Sequence, residues 1–140
     1  MIAVDTNVLL RYLLRDDATQ AQEARQLFES GERVLITDVV LAEAVWTLLG
    51  RRYRAARTDV IAFVGSLLQE PNVRFEDDEV IFSALQAYRE TEADFADALI
   101  LHKALKMAPV DDGLHTVYTF DADALQLPHT AAPQASPQSR

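Results

Sequence analysis

Short apolar runs and longer segments with one apolar face alternate along the chain. Apolar runs predict four buried strands, at residues 1–4, 33–36, 73–75 and 117–120. Helical spacing predicts helices at residues 6–14, 18–29, 38–49, 58–69, 78–90 and 94–107, followed by a short turn of helix that ends near Leu127. Short apolar strands that alternate with helices indicate an α/β domain with a parallel sheet covered on both faces.

Polar residues set the predicted boundaries of these elements. Ser30 and Gly31 end the second helix, Thr37 or Asp38 caps the third, and Thr58 caps the fourth. Residues 128–140 contain three Pro, no Gly and little large apolar surface. That composition predicts a disordered C-terminal tail and one domain over residues 1–127.

Composition narrows the class of protein. The 140 residues include 49% hydrophobic residues, which suits one folded core, and no Cys, which excludes a disulfide scaffold and a thiolate metal site. The net charge of −9 argues against a nucleic-acid binder that works through its overall field. No apolar run is long enough to span a bilayer, and the first residues lack the basic region of a signal peptide. We therefore expect a cytoplasmic protein with no membrane partner.

Two acids directly follow predicted strands. Asp5 follows the first strand, and Asp121 follows the last. The carboxyl ends of parallel strands share one edge of a sheet, where ligand sites collect. The alternative is that each residue only caps a helix, since Asp is a good N-cap.

Two further acids lie inside apolar helices. Glu43 shares a helix face with Val39 and Trp46, and burial of a lone carboxylate is costly unless a proton or a cation compensates it. Asp97 stands in a segment that is otherwise apolar almost all round. The alternatives are a Glu43 head group in water, and Asp94 as N-cap with Asp97 in the first turn.

If these four acids converge, their mutual repulsion calls for a positive charge between them. Lys103 and Lys106 offer such charge, and a divalent cation offers it more effectively. Oxygen ligands without Cys or paired His favour Mg²⁺ or Mn²⁺ over Zn²⁺. Acidic Mg²⁺ sites commonly serve phosphoryl chemistry.

The chemistry-bearing residues follow a recognisable order. It consists of Asp5-Thr6-Asn7 after a strand, a helical Glu43, the run from Asp94 through Asp97 to Ile100, and Thr119-Phe120-Asp121. This order resembles the PIN-domain nucleases, and most closely the VapC-type toxins of bacterial toxin–antitoxin pairs. The resemblance spans the chain up to Leu127, and residues 41–48 followed by Tyr53 look like the family's second motif with its flanks.

The resemblance implies an α/β/α sandwich with a central parallel sheet and an acidic pocket at the sheet edge. It implies an endoribonuclease that depends on Mg²⁺ or Mn²⁺, forms a homodimer and pairs with an antitoxin protein. Carried over by position, the ligands are Asp5, Glu43 and Asp97, with Asp121 completing the acidic set. Thr6 and Thr119 match supporting hydroxyls, Asn7 matches the motif, and Asp94 takes a capping or supporting role.

Two features depart from the family pattern. Asp123 stands where many relatives carry a basic residue, and we interpret it as an extra metal ligand. Residues 109–113 look longer and more acidic than the usual turn before the last strand. His102 and His115 are candidates for a general acid by residue type alone, and we assign neither residue a role.

The expected reaction is hydrolysis of RNA by metal-activated water, with no covalent nucleophile. Four arginines after the Glu43 helix form the basic cluster that we expect to bind RNA phosphates: Arg51, Arg52, Arg54 and Arg57. A solvated helix end is the alternative for this cluster. Five large apolar residues at helical spacings are expected mainly in the core, with a partner surface as the alternative: Leu27, Phe28, Trp46, Phe63 and Leu67.

Other functions stay open at this level. An inactive PIN-like module that binds RNA or protein would have the same fold, although the retained acids count against it. A nuclease for RNA maturation or single-stranded DNA would have the same site.

Overall fold

The computed structural model describes residues 1–108, 111, 113 and 116–134, which divide between two units, Met1–Glu79 and Val80–Arg140. The first unit holds strands β1 (Ile2–Ala3), β2 (Val34–Ile36) and β3 (Val73–Phe75) and helices α1 (Thr6–Leu14), α2 (Ala18–Phe28), α3 (Asp38–Leu49) and α4 (Arg57–Gln69). Helix α5 (Asp78–Glu90) contains the boundary, and the second unit continues with α6 (Phe95–Met107), β4 (Val117–Tyr118), a 3-10 turn (Ala124–Gln126) and β5 (Thr130–Ala131). The predicted α/β class, with a parallel sheet of short strands, is confirmed.

The sheet of the first unit contains three parallel strands in the order β1-β2-β3. Ile2 pairs with Val34, and Val34 pairs with Val73. Val34 and Ile36 on the central strand are fully buried, as expected for a parallel strand between layers of helices. Asp5 and Thr37 both lie just beyond the carboxyl ends of their strands, where α1 and α3 begin.

Local signals explain where the helices of this unit begin and end. Thr37 is the N-cap of α3, since its hydroxyl accepts a hydrogen bond from the Val40 N–H at 3.3 Å. Gly31, after α2, has φ +89, a left-handed conformation that favours glycine. The prediction that Thr58 caps α4 is wrong, because Ala56 is the N-cap. There the Asp59 carboxylate accepts from the Ala56 N–H at 2.9 Å.

The second unit has its own apolar core. Tyr88 on α5 and Phe95 on α6 are fully buried and pack edge to face, with ring centroids 5.9 Å apart. Ala93, Leu101 and Leu127 form a further buried cluster in this unit. The buried Ala93 therefore holds the short segment between α5 and α6 in the core of this unit.

Part of the segment that the sequence predicts as a tail forms a strand. Thr130–Ala131 pairs in parallel with Val117–Tyr118, and the Thr119 N–H donates to the Ala131 carbonyl at 3.0 Å. A strand of two residues, Thr130 and Ala131, is too short to show an alternating apolar pattern in the sequence. Strand β5 is therefore recognisable only by its pairing with β4. Residues 135–140 lie outside the described residues.

Two large apolar residues expected in the core are exposed. Trp46 on α3 is 79% exposed and Leu27 on α2 is 40% exposed, whereas Phe28 and Leu67 are buried as expected. Trp46 shares its exposed helix face with Val39. Among the described residues, no helix is both long and apolar enough to cross a membrane.

Tyr12 joins three helical segments of the first unit. Its ring stacks on Phe28 of α2, with centroids 3.9 Å apart. Its hydroxyl donates to Glu70 Oε1, just after α4, at 2.6 Å. Burial, followed by the hydrogen bond to Glu70, raises the pKa of Tyr12 to about 12.

Replacing Tyr12 by Phe keeps the stacked ring and removes the hydroxyl. We expect a loss of about 1 kcal/mol in the free energy of unfolding at neutral pH, because one hydrogen bond to a charged acceptor disappears. The raised pKa means that this stabilisation is complete below pH 10 and disappears as the pH rises towards about 12. Urea titrations at pH 7 and above pH 10 test both statements, and equal stability of the two proteins at pH 7 would contradict them.

Candidate metal centre and substrate surface

Three aspartates of the second unit lie close together. One carboxylate oxygen from each of Asp94, Asp97 and Asp121 falls within 4.8 Å of the others. Asp94 and Asp97 belong to the start of α6, and Asp121 follows β4. Oxygen atoms at this spacing suit a hard divalent cation such as Mg²⁺ or Mn²⁺.

The start of α6 supplies two of these carboxylates. Asp94 occupies the N-cap position with extended backbone, but its side chain makes no capping hydrogen bond. Asp94 is therefore the N-cap residue by backbone position, as the capping alternative has it, while its side chain belongs to the cluster. Asp97, three residues later, lies on the same side of the helix.

Hydrogen bonds fix the third carboxylate. The Asp121 N–H donates to Thr119 Oγ1 at 3.0 Å, so Thr119 contacts the backbone of a clustered aspartate. A supporting role for Thr119 stays a prediction from the sequence. Asp121 Oδ1 accepts from the N–H groups of Asp123 and Ala124, at 2.8 and 3.1 Å, so Asp121 also caps the 3-10 turn. The cluster does not include the Asp123 carboxylate. A ligand role for Asp123 stays a prediction from the sequence.

The electrostatics of the cluster favour a bound cation. Asp97 is half-buried, and burial, followed by repulsion from Asp121 and Asp94, raises the pKa of its carboxyl. None of the basic side chains that the structure describes forms a salt bridge with these three carboxylates. The donor set therefore fits a divalent ion both in chemistry and in its need for positive charge.

Replacing Thr119 by Val removes the acceptor for the Asp121 N–H while nearly conserving side-chain shape. We expect Mn²⁺ to bind about 10-fold more weakly, because groups that orient a ligand typically contribute this much to metal affinity. Thr119→Ser retains the hydroxyl and should bind Mn²⁺ like the parent. Calorimetric titration of the three proteins measures the effect, and equal affinity for Thr119→Val would refute the supporting role.

The first unit positions Asp5 and Glu43 separately. Asp5 Oδ1 accepts from the Val8 N–H at 3.0 Å, so Asp5 is the N-cap of α1. Capping uses one of its two carboxylate oxygens and is compatible with a ligand role. Thr6 Oγ1 donates to Glu43 Oε1, which joins the start of α1 to α3.

Of the two alternatives for Glu43, the structure shows the head group in water. Glu43 is exposed, and its apolar neighbours on α3, Val39 and Trp46, are 73% and 79% exposed. The sequence pattern left the choice open because the apolar residues of α3 cover almost the whole circumference, so periodicity does not identify the buried side. The hydroxyl of Thr6, rather than burial, defines the position of the Glu43 carboxylate.

The predicted arginine cluster lies in the turn after α3 and at the start of α4. Arg51, Arg52 and Arg54 are exposed, and Arg57 is the first residue of α4. Arg54 has φ 49, and its N–H donates to the Gly50 carbonyl at 2.8 Å. This backbone bond gives the turn a defined shape.

Sequence reasoning missed an ionic network around Asp16. Its carboxylate accepts from Arg11 Nη1 at 2.9 Å and lies 3.9 Å from Arg52 Nη2. Partial burial opposes ionisation of Asp16, but the hydrogen bond and charge of Arg11 outweigh it and lower the pKa of that carboxyl. Hydrogen bonds with Tyr53 and Asp16 raise the pKa of Arg11. No sequence spacing connects the end of α1 with the turn after α3, so the contact between Asp16 and Arg52 could not be predicted from the sequence.

The remaining candidates contribute little to the site. His102 lies on α6, and burial lowers its pKa, which favours the neutral form. His115 lies outside the described residues, as do residues 109, 110 and 112 of the unusual turn. Asn7 lines a pocket beside Asp5.

The comparison with protein families accounts for the order of these acids. A family model of the PIN domain matches residues 2–129. A search of curated proteins found no match. PIN domains are typically nucleases and generally use divalent metals, which agrees with the three-aspartate cluster. Since the matched region covers nearly the whole chain, the protein belongs to the PIN domain family.

Proposed function

We propose that this protein is an endoribonuclease that requires Mg²⁺ or Mn²⁺ and hydrolyses phosphodiester bonds of RNA. The observation that carries the proposal is the cluster of Asp94, Asp97 and Asp121 in a member of a nuclease family. Three carboxylates without a salt-bridge partner in the described chain are costly to hold together unless a cation binds them.

Asp97 and Asp121 are the proposed metal ligands in the second unit, and Asp94 completes the oxygen set. Asp5 and Glu43 are assigned to the same reaction by their match to the family's motifs. When bound, a divalent ion supplies a water of lowered pKa and neutralises charge on the phosphate. The chain's own residues hold that charge in place: Thr119 supports Asp121, and Thr6 donates to Glu43.

RNA must approach an acidic protein, so local positive charge has to attract its phosphates. We assign this role to Arg51, Arg52, Arg54 and Arg57, which share one structured turn and helix start. The exposed guanidinium groups of Arg51, Arg52 and Arg54 suit phosphate contacts that do not depend on base sequence.

Incubation with a panel of transfer RNAs, ribosomal RNA fragments and single-stranded DNA tests the activity, with Mn²⁺, Mg²⁺ or EDTA present. We expect discrete RNA cuts that require metal and disappear in Asp5→Asn. Attack by water predicts linear phosphate ends rather than 2′,3′-cyclic phosphates. Cleavage that persists in EDTA or in Asp5→Asn would refute the proposal, and cleavage of DNA alone would assign another substrate.

A toxin role in the cytoplasm is the finer part of the proposal. Its support is the likeness of residues 41–48 and Tyr53 to the VapC-type second motif. Such a toxin acts as a homodimer and is neutralised by an antitoxin, and the exposed Val39 and Trp46 on α3 supply apolar surface for a protein partner. Growth arrest on expression of the parent chain but not of Asp5→Asn is expected. Unchanged growth alongside active cleavage would instead favour RNA maturation.

Calorimetry distinguishes the last alternative, an inactive PIN-like module. A nuclease that lacks its proper RNA in the panel still binds Mn²⁺ and loses that binding in Asp97→Asn. An inactive module shows neither cleavage nor Mn²⁺ binding.

A further inference from the structure

A pocket lies between α1 and α2, directly beside Asp5. Its volume is about 260 Å³. Its wall consists of three aliphatic, two amide and three charged side chains: Val8, Ala24, Leu27, Asn7, Gln20, Asp5, Arg11 and Glu23. Aliphatic and amide groups beside two carboxylates suit a flat, uncharged and partly polar ligand better than an anionic one.

Hydrogen bonds hold the polar side of the pocket in one arrangement. Arg11 Nε donates to Gln20 Oε1 at 2.8 Å, and Arg11 Nη1 donates to Asp16 Oδ1 at 2.9 Å. Because the amide oxygen of Gln20 faces the guanidinium, its NH₂ group is turned away from Arg11. The amide is therefore oriented before any ligand arrives, which reduces the entropy lost on binding.

The size and lining of the pocket fit a single nucleobase. A volume of about 260 Å³ lies below the usual range for drug-sized ligands, which start at roughly 300 Å³. Aliphatic side chains such as Val8 and Leu27 cover the face of a base, and amide groups such as Gln20 pair with its edge. Sequence-specific proteins recognise single-stranded RNA through unstacked bases that are covered on a face, usually by an aromatic ring or a guanidinium, and hydrogen-bonded on an edge. Here the cover would be aliphatic and the edge contact would come from an amide.

The position of the pocket connects it with both proposed parts of the RNA site. Asp5 contributes to its wall. On the other side, Arg11 contacts Asp16, and Asp16 contacts Arg52 of the arginine turn. An RNA strand with a phosphate at Arg52 and a base in the pocket therefore remains within the same unit as Asp5.

We propose that the pocket between α1 and α2, beside Asp5, binds one unstacked base of the RNA substrate and so sets the base preference of cleavage. The inference rests on the proposed ribonuclease function. It names Gln20 and Leu27 as specificity-determining residues, which act on the base rather than on the reacting phosphate.

Methyl NMR of the full chain in EDTA tests base binding without any need for catalysis. The four nucleoside 5′-monophosphates are the probes, and ribose 5-phosphate is the control without a base. We expect saturable shifts at the methyl groups of Val8, Ala24 and Leu27, with at least one nucleotide binding several-fold more tightly than ribose 5-phosphate. Equal binding of ribose 5-phosphate, or shifts confined to other sites, would overturn the proposal.

Leu27→Trp fills the pocket from a position that is 40% exposed, so the change is compatible with folding. It should abolish the nucleotide shifts at Val8 and Ala24 and reduce the base preference at mapped RNA cuts. Phe82→Trp adds an indole at an exposed position of α5, 58% exposed, and should alter neither. An unchanged base preference in Leu27→Trp refutes the pocket's role, whereas a parent chain that cuts no RNA but binds nucleotides there refutes only the ribonuclease.

Discussion

Asp97→Asn is expected to weaken Mn²⁺ binding at least about 100-fold, because it removes a charged ligand and even indirect ligand supports contribute about 10- to 100-fold. The same change should raise the melting temperature of the metal-free protein by about 1–3 °C. The raised pKa of Asp97 shows that burial and its neighbours, Asp121 and Asp94, disfavour the ionised form. Stability is therefore lost as the pH rises through that pKa, and a neutral Asn restores it at neutral pH.

The size of this thermal effect follows from the exposure of the cluster. Interactions between partly exposed charges contribute less than about 1 kcal/mol to the free energy of unfolding. For proteins somewhat longer than this one, a change of about 1 kcal/mol shifts the melting temperature by about 2–4 °C. Calorimetric Mn²⁺ titration and thermal unfolding in EDTA measure the two effects. Asp123→Asn is the matched control, since Asp123 lies near Asp121 but outside the cluster.

Each outcome for the control is informative. If Asp123→Asn retains Mn²⁺ affinity while Asp97→Asn loses it, the site consists of the three clustered aspartates. An equal loss in both variants would establish Asp123 as a further ligand, as the sequence predicts. Undiminished Mn²⁺ binding in Asp97→Asn would contradict the cluster as the metal site.

The double substitution Arg51→Gln/Arg54→Gln is expected to weaken RNA binding about 10-fold near physiological salt. It should also reduce the slope of log K against log salt by about 1.4, because each single-strand phosphate contact contributes about 0.7. Both arginines are exposed, so the fold should be unaffected. Arg52 is left in place because it contacts Asp16 and stacks over the Tyr53 ring at 5.1 Å.

Arg33→Gln/Arg89→Gln makes the same change in net charge at two exposed positions outside the arginine turn. This control should bind RNA like the parent at every salt concentration. Fluorescence anisotropy with a labelled RNA in EDTA measures affinity without cleavage. Equal salt slopes for both double variants would show that overall charge, and not this turn, attracts RNA.

The course of the backbone was largely predictable from local signals. Two helices that follow strands begin at a capping side chain, Thr37 for α3 and Asp5 for α1. Thr and Asp are both favoured N-cap residues, so the sequence indicates these helix starts. Gly31, two residues beyond the C-cap of α2, adopts φ +89 at little cost and so turns the chain after the helix. By contrast, β5 consists of two residues that are recognisable only by pairing with β4.

The candidate site was predictable in its residue types and only partly in its geometry. The spacing of Asp94 and Asp97 indicates a shared side of α6, and the structure adds that the Asp94 side chain joins the cluster while its backbone stays at the N-cap position. Glu43 shows the limit of periodicity, because α3 is apolar almost all round. The contact of Asp16 with Arg52 joins the end of α1 to the turn after α3, and such tertiary pairs leave no local pattern.

The most direct test follows the initial rate of RNA cleavage as Mn²⁺ is titrated into metal-stripped protein. For the parent chain, we predict a rate that rises from background with the same half-saturation as the calorimetric binding curve. Asp97→Asn should need at least about 100-fold more Mn²⁺ to reach any comparable rate, in line with its lost ligand. Full cleavage before Mn²⁺ is added, or the same Mn²⁺ dependence in Asp97→Asn, would contradict a metal-dependent ribonuclease built on the aspartate cluster.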